Sequence, residues 1–189
     1  MYIDMRTMKP DFSSLVLGHT MLRLVEPADA NYIYSLRVNS QLNTFLSAAP
    51  ESPQAQRDWI NTYKTRESER LEHYFVICNI DRQPCGVVRL YDYSESSFCW
   101  GSWILDVNKS RYAAVESALL VYEVGFKRLG FPGCHFDVRL GNARVISFHQ
   151  KMGAHMVKQD DLNMYFEITP AAISERSDVL MKIIGQNRK

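Results

Sequence analysis

The sequence lacks the features that mark membrane, secreted and nucleic-acid-binding proteins. No apolar run reaches the roughly 18–20 residues that a bilayer span needs, and the N-terminal stretch MYIDMRTMKPDFSS has no apolar signal core. The net charge is only +1, so no excess of one sign predicts binding to nucleic acid or to a membrane surface. We therefore expect a cytoplasmic protein without nucleic-acid or membrane partners.

Cysteine is scarce and scattered along the chain. Cys78, Cys85, Cys99 and Cys134 include no C-x-x-C pair, and three of them fall in strand-like segments. This pattern predicts reduced, mostly buried thiols rather than disulfides. No cluster of histidine and cysteine has the spacing of metal ligands, so we expect no metal site.

Length and composition favour a single globular domain. The 189 residues are 46% hydrophobic and 23% charged, which is ordinary for a soluble fold with a sizeable core. No repeat, low-complexity segment or linker interrupts the chain. We predict one domain over residues 1–189, with a core over about 21–169, an irregular N-terminal arm to about His19 and a C-terminal tail.

The first half of the chain predicts a strand, two helices and three antiparallel strands. The predicted strands are Met21–Pro27, His73–Ile80, Cys85–Tyr93 and Phe98–Val107, and the predicted helices are Asp29–Asn39 and Ser52–Ser68. Ser52 and Pro53 suit the N-cap and first position of the second helix, and Asp29 suits the cap of the first. Gly101, between two tryptophans, indicates either a β-bulge or a packing concession to the large indoles.

The second half predicts a crossover connection followed by a helix and a hairpin. The predicted helices are Ala113–Leu129, Ala143–Met152 and Ala171–Ile184, and the predicted strands are Cys134–Arg139, His155–Gln159 and Met164–Thr169. The first of these helices is apolar on most sides, so we expect it to lie buried across a sheet. The strand that follows it should run parallel to the strand before it, and Gly153 should cap the next helix.

Two runs carry a family resemblance. Asp137–Asn142 (DVRLGN) and Ile146–Ala154 (ISFHQKMGA) are similar, without a gap, to the E-V-R-x-x-N and A-I-x-L-Y-E-K-L-G-F runs of the GNAT superfamily of acyl-CoA N-acyltransferases, notably those that act on ribosomal proteins. The order of elements over about Met21–Thr169 also resembles that family. The resemblance implies an α+β fold with a mixed central sheet of about seven strands flanked by helices. It also implies an acetyl-CoA-dependent N-acetyltransferase that transfers acetyl directly.

The resemblance places acetyl-CoA, as cosubstrate, at the start of the Ala113 helix. The family's pyrophosphate loop has the form Arg/Gln-x-x-Gly-x-Gly/Ala, whereas Arg111–Glu116 (RYAAVE) has alanine and glutamate at the glycine positions. Glu116 would repel a phosphate if it faced one; on the outer face it would stabilise the helix dipole by roughly 0.3–1 kcal/mol. The candidate cofactor-binding residues are Ile104, Leu105, Val107, Lys109, Arg111, Tyr112, Ala113, Ala114, Val115, Glu116, Asn142 and Arg144.

Two residues occupy positions that the family uses for proton transfer. His149 replaces the family's tyrosine, and an imidazolium with an ordinary pKa near 6.5 would be a stronger acid than a phenol toward the leaving thiolate. Asp137 stands where one branch of the family has a glutamate base. The alternatives are a half-buried structural histidine, and an ion pair of Asp137 with His135 or Arg139 on the same strand face.

The acceptor site should lie between the first two helices and the sheet. The candidate residues are Arg37, Asn39, Asn43, Ser47, Trp59, Arg89 and Tyr91. The segment around Arg37, Asn39 and Trp59 also resembles GNAT enzymes that acetylate amino groups of nucleotide-linked sugars. A small-molecule amine of that kind and a peptide or protein amine both stay open, as does a homodimer. The alternative function is a non-catalytic acyl-CoA-binding regulatory module with the GNAT fold.

Overall fold

The computed structural model describes residues 10–186 of the chain. Residues 1–9 of the predicted N-terminal arm lie outside the described residues. The strands are β1 (Val16–Leu17), β2 (Thr20–Leu24), β3 (His73–Asn79), β4 (Pro84–Tyr91), β5 (Phe98–Leu105), β6 (Cys134–Arg139), β7 (His155–Gln159) and β8 (Asn163–Ile168). The helices are α1 (Ala30–Val38), α2 (Pro53–Ser68), α3 (Ala113–Tyr122), α4 (Ala143–Lys151) and α5 (Pro170–Gln186).

The strands form one mixed sheet of eight strands in the order β1-β2-β3-β4-β5-β6-β8-β7. All neighbouring pairs are antiparallel except β5 and β6, which are parallel as the crossover through α3 requires. The strand beyond the predicted seven is β1, which pairs Val16 with Met21 and Leu17 with Thr20. The predicted irregular arm therefore contains a short strand before His19. A strand of two residues is too short to show a period in the sequence.

Helices cover both faces of the sheet. On one face, α1 and α2 bury Ile33 and Ile60 against alternate residues of β3 to β5 such as Val76. On the other face, α3 and α5 pack against the intervening residues, among them Phe75. This is the α+β arrangement that the element order predicted.

Helix starts follow the predicted local chemistry at α2 and α4 but not at α1. Ser52 accepts a hydrogen bond from the amide of Ala55 at 3.1 Å and so caps α2 as predicted. Asp29 instead ends a short 3₁₀ turn before α1, where its carboxylate binds Arg23 at 2.7 Å and accepts from the amide of Glu26 at 2.8 Å. The bidentate contact to Arg23 takes the oxygens that would have capped α1.

The predicted Ala113–Leu129 helix changes its winding after Tyr122. Residues Glu123–Arg128 form a π-helical stretch, and the chain then leaves the helix at Gly130 with a φ of 75°. This wider turn seats Gly125 directly against the ring of the fully buried Phe98 on β5. A π-bulge is an uncommon local arrangement, and here it coincides with a very close contact between helix and sheet.

The centre of the sheet opens between β5 and β6. The two strands pair only at Phe98 with Cys134 and at Cys99 with His135. Beyond Cys99, β5 pairs with β4 alone, and a register shift there sets Ser102 and Trp103 opposite Val88. Ser102 has a φ of 48°, in the left-handed region. Of the two alternatives for Gly101, a bulge is therefore present, at Ser102 and Trp103 directly after it. The far part of β5 has a free edge facing β6.

Three observations bear on groups that the fold might carry. All four cysteines are free and buried. Within the described range, no cluster of three or more histidine, cysteine, aspartate or glutamate side chains could hold a metal ion. Between residues 10 and 186, no helix has both the length and the apolar character to span a membrane.

Candidate active site

The N-terminus of α3 offers free backbone donors. The amide of Ala113 donates to Ser110 and that of Glu116 donates to Tyr112, but no hydrogen bond between described residues involves the amides of Ala114 and Val115. The first turn of a helix leaves such donors without intrahelical partners and carries a partial positive charge. The pair of amides suits an anion such as a pyrophosphate, even though alanine replaces glycine at position 114.

Glu116 points into the fold rather than to its outer face. Its side chain is fully buried, and its Oε2 accepts from the hydroxyl of Thr20 at 2.7 Å and from the amide of His19 at 3.3 Å. The carboxylate therefore joins α3 to the turn between β1 and β2. The alternative in which Glu116 lies on the outer face of the helix is wrong, and the apolar sequence of α3 gave no sign that this carboxylate has polar partners on the buried side.

Replacing Glu116 with alanine should lower the free energy of unfolding by about 1–3 kcal/mol, since a buried hydroxyl and a partly buried amide lose their acceptor. Urea denaturation measures the change. Glu123→Ala is the control on the same helical run, because its ion pair with Arg128 lies at the surface and should contribute at most about 1 kcal/mol. Equal effects of the two substitutions would contradict this role of Glu116.

The other predicted cofactor-binding residues before α3 lie at the end of β5 and in the loop that leads to the helix. Ile104 and Leu105 pack on opposite faces of the sheet, and the side chain of Val107 is 92% exposed. Lys109 donates to the carbonyl of Asp106 at 3.4 Å. The guanidinium of Arg111 lies over the ring of Tyr112 at 5.3 Å.

Asn142 and Arg144 begin the helix on the other side of the opening. The Oδ1 of Asn142 accepts from the amide of Val145 at 3.4 Å, so the predicted N-cap of α4 is confirmed. Arg144 follows on the exposed side of the first turn. At the far end, Gly153 leaves α4 with a φ of 99°, as predicted for a helix stop.

His149 is enclosed by aromatic rings. Its side chain is 4% exposed and lies 4.2 Å from the ring of Phe136, 5.2 Å from Trp100 and 6.3 Å from Trp103, measured between centroids. Its buried Nδ1 has no hydrogen-bond partner among residues 10–186. Burial lowers the pKa of His149 to about 3. The imidazole is therefore neutral at physiological pH, and the expected imidazolium is not present.

Asp137 lies on the opposite face of the sheet from His149. Phe136, its neighbour on β6, contacts His149, and successive residues of a strand point to opposite faces. None of the ion pairs between described residues involves Asp137, whose side chain is exposed. His135 pairs instead with Asp92 at 3.1 Å and contacts Ser97 at 2.7 Å. The alternative ion pair of Asp137 with His135 or Arg139 is therefore not among the ion pairs of the described residues.

Asp137 also lies within electrostatic range of the acceptor side of the sheet. Burial is the main cause that raises the pKa of Tyr91, and the negative charge of Asp137 contributes to the same rise. Tyr91 in turn lies beneath the guanidinium of Arg89 at 4.9 Å. The carboxylate and the predicted acceptor residues thus belong to one face.

A cavity of about 330 Å³ opens between α1, α2 and that face; we call it the acceptor cavity. Its lining consists of Arg37, Ser47, Ala48, Ala49, Pro50, Ala55, Gln56, Trp59, Tyr74, Arg89 and Ser102. The predicted residues that meet here are Arg37, Ser47, Trp59 and Arg89, whereas Tyr91 is not part of the lining. Asn39 lies outside, where its side chain accepts from the amide of Gln41 at the end of α1.

Sequence reasoning missed Gln56 and Tyr74 in this lining. Gln56 was within reach, because it lies one helical turn before Trp59 on the packed side of α2. Tyr74 had no such signal, since its place depends on how β3 meets the helices. A larger cavity, about 950 Å³, lies between residues 10–16 and β2, but none of the predicted site residues lines it.

The fold and the opened sheet define an acyltransferase-type domain, and the comparisons with known proteins identify the family. Residues 19–155 match the model of the acetyltransferase (GNAT) domain. The chain belongs to the GNAT acetyltransferases and is an N-acetyltransferase of that family. Comparison with curated proteins gave no significant match.

Solved structures agree with this assignment. The chain is similar to apo FdhC, described as a nucleotide-linked sugar GNAT, with 48% identity over 86% of this chain and 93% of FdhC and a TM-score of 0.80. A mutant of the spermidine N-acetyltransferase SpeG from Vibrio cholerae is 17% identical over 84% of this chain and 98% of its own, with a TM-score of 0.69. A GCN5-related N-acetyltransferase from Brucella melitensis is 14% identical over 90% and 86%, with a TM-score of 0.72. The last two share the fold.

Proposed function

We propose that this enzyme transfers an acetyl group from acetyl-CoA to an amino group of a nucleotide-linked sugar. The observation that carries the proposal is the 48% identity to FdhC over most of both chains. The acceptor cavity supports it, because Arg37, Arg89, Trp59 and Tyr74 combine charge with aromatic surface around about 330 Å³. A polar ring with an attached nucleotide suits such a lining.

The residues at the opening of the sheet fit acetyl-CoA. The amides of Ala114 and Val115 would hold its pyrophosphate, and the free edge of β5 beyond Cys99 would pair with the amide groups of its pantetheine arm. When bound, acetyl-CoA supplies an activated thioester for direct attack by an amine. Four buried free thiols support a reducing compartment such as the cytoplasm as the setting of this reaction.

Asp137 and His149 would act from the two faces of the sheet. Asp137, exposed and without an ion pair among described residues, would accept the proton of the attacking amine on the acceptor face. His149 is neutral, and its remaining N–H proton is far less acidic than that of a thiol. It would therefore stabilise the leaving thiolate by donating a hydrogen bond rather than by transferring a proton.

Release of free thiol from acetyl-CoA, measured with a panel of amines, tests the proposal. We expect turnover with amino sugars linked to a nucleoside diphosphate and at least about 100-fold lower kcat/KM with the free amino sugars, because remote binding energy supports catalysis. Peptides with free N-termini and spermidine complete the panel. Turnover confined to peptides or to spermidine would contradict the sugar acceptor.

The second candidate is an acyl-CoA-binding module without turnover. Its support is that both glycine positions of the family's pyrophosphate loop hold other residues, Ala114 and Glu116. Calorimetry with acetyl-CoA, combined with the same panel, separates the two functions. Binding of acetyl-CoA without thiol release from any amine would favour the module, whereas thiol release with any member of the panel rules it out.

A further inference from the structure

A buried carboxylate organises two arginines beside the acceptor cavity. Glu72, just before β3, is 3% exposed and receives hydrogen bonds from Arg66 of α2 and from Arg89 of β4. Arg89 approaches Oε2 through both Nε and Nη2, with the Nε at 2.7 Å, and Arg66 binds Oε1. The carboxylate thus fixes the direction of both guanidinium groups.

Each of the two arginines that line the cavity uses only some of its N–H donors in hydrogen bonds between described residues. Arg37 uses Nη2 for its contacts to Ser47 and Ala48, at 2.9 Å to the Ser47 hydroxyl and 2.9 Å to the Ala48 carbonyl. No hydrogen bond between described residues involves Nη1 or Nε of Arg37, or Nη1 of Arg89. Both arginines line the cavity, and the charged N–H groups of a guanidinium suit an oxyanion.

The charge around the cavity is positive. Its lining contains two arginines and no aspartate or glutamate. Behind the lining, the single charge of Glu72 is shared between Arg66 and Arg89, so three positive charges face one negative charge. Burial raises the pKa of Tyr74 to about 12, while the charges of Arg37 and Arg89 act in the opposite direction. The positive charges of both guanidinium groups therefore reach the Tyr74 hydroxyl in the cavity wall.

The ring of Trp59, which lines the cavity, already contacts three neighbouring side chains. Tyr63 stacks on Trp59 at 5.7 Å, and the guanidinium groups of Arg66 and Arg89 lie over the Trp59 ring at 5.5 and 5.2 Å. A ligand base that stacked on this ring would have to displace one of these groups. Recognition by charged hydrogen bonds fits the arrangement better than recognition by stacking.

We infer that Arg37 and Arg89 form an anion subsite that binds the phosphate groups of a nucleoside-diphosphate-linked amino sugar, with Glu72 as the residue that positions Arg89. The inference rests on the proposed function and adds which part of the acceptor is recognised. The two arginines of the lining disfavour a polycationic acceptor such as spermidine, because Asp137, which lies on the same face but outside the lining, offers a single negative charge to its ammonium groups.

Arg89→Gln and Arg66→Gln form a matched pair for testing the subsite. Each removes one hydrogen-bonding partner of Glu72 and one guanidinium over Trp59, but only Arg89 lines the cavity. Calorimetry is done on the full chain with thymidine diphosphate, uridine diphosphate, the two uncharged nucleosides, inorganic pyrophosphate and CoA. We expect Arg89→Gln to weaken binding of the nucleoside diphosphates about 10–100-fold, as for lost hydrogen bonds to a charged group, and Arg66→Gln to change it less than threefold.

The probes distinguish the sources of the phosphate. In the wild type the diphosphates should bind at least tenfold more tightly than the nucleosides, while CoA binding should stay within threefold in both variants. A parallel loss of CoA binding in Arg89→Gln would assign the arginine to the cofactor and overturn the inference. So would equal effects of the two substitutions, or no binding of either nucleoside diphosphate to the wild type.

Failure of the inference and failure of the proposed function give different results. Nucleotide-linked amino sugars that turn over with the same KM in Arg89→Gln and in the wild type would leave the function standing and reject the subsite. Diphosphates that bind through Arg89 while no nucleotide-linked sugar is acetylated would support the subsite and reject the acceptor. Where turnover is seen, the variant should raise the KM for the sugar and leave the KM for acetyl-CoA unchanged.

Discussion

Replacing His149 with phenylalanine is expected to lower kcat by about 100-fold or more while the KM for acetyl-CoA changes little, because one donor to a developing negative charge is lost. Phenylalanine keeps the ring that packs against Phe136 and Trp100, so the surroundings of the site stay filled. Thiol release under saturating acceptor and acetyl-CoA measures the change.

His73→Phe is the matched control for this substitution. His73 is also buried, and burial lowers its pKa to about 4, but it lies on β3, where its Nδ1 contacts the Tyr93 hydroxyl at 2.9 Å. Its replacement should leave kcat within about threefold of the wild type, as expected for a residue without contact to the reacting groups. An equal loss of kcat in both variants would show that burial, not chemistry, explains the effect.

The same variants report on the charge of His149. The pKa of this group is about 3 in the folded chain, below its ordinary 6.5, so between these values the unfolded chain binds more protons. Its contribution to stability is complete above pH 6.5 and is lost as the pH falls toward 3. In His149→Phe, the decline of the free energy of unfolding between pH 6 and 4 should therefore be shallower by about 1.4 kcal/mol per pH unit. An unchanged slope would mean that His149 is protonated in the folded enzyme.

Replacing Gly125 with alanine is expected to destabilise the fold by about 3 kcal/mol or more, at the upper end of overpacking effects. An added Cβ would lie 2.0 Å from Cζ and 2.1 Å from Cε1 of Phe98. The ring is fully buried, so it has no solvent-filled space into which it can move. Thermal and urea denaturation both measure the loss.

A second substitution locates the cause of this loss. Phe98→Leu removes the ring atoms that the new methyl group would meet, so the double variant should be more stable than the sum of the two single effects predicts. Gly141→Ala is the control, because its Cβ would approach only the exposed Phe45 at 3.2 Å and should cost less than about 1 kcal/mol. Additive losses in the double variant would exclude the clash as the origin.

Local rules explain what the sequence predicted well. Three features lie where they were predicted: the strand Cys134–Arg139, the helix cap at Asn142 and the helix stop at Gly153. Each depends on residues that are close by in the sequence. The crossover through the long helix predicted the parallel pair of β5 and β6. The single-domain organisation and the roles of Asp137 and His149 stay predictions.

Long-range contacts explain what the sequence did not reveal. Glu72 binds Arg66 and Arg89, and this group forms only when α2 and β4 meet. Glu116 binds Thr20 across 96 positions of sequence. The neutral state of His149 depends on rings from two other elements, Trp100 of β5 and Phe136 of β6. No spacing within one segment encodes any of these, so their side-chain environment had to come from the structure.

The two residue pairs between β5 and β6 also have a mechanical consequence. They join an antiparallel ladder of five strands to one of three, and outside Phe98 and Cys99 no backbone hydrogen bond between described residues joins the two ladders. Rotating one ladder against the other strains the hydrogen bonds of only these two residue pairs, whereas β2 to β5 are joined by longer runs of pairs. The opening between β5 and β6 is therefore a weak junction within the sheet, and a ligand that hydrogen-bonded to both strands would connect the two ladders.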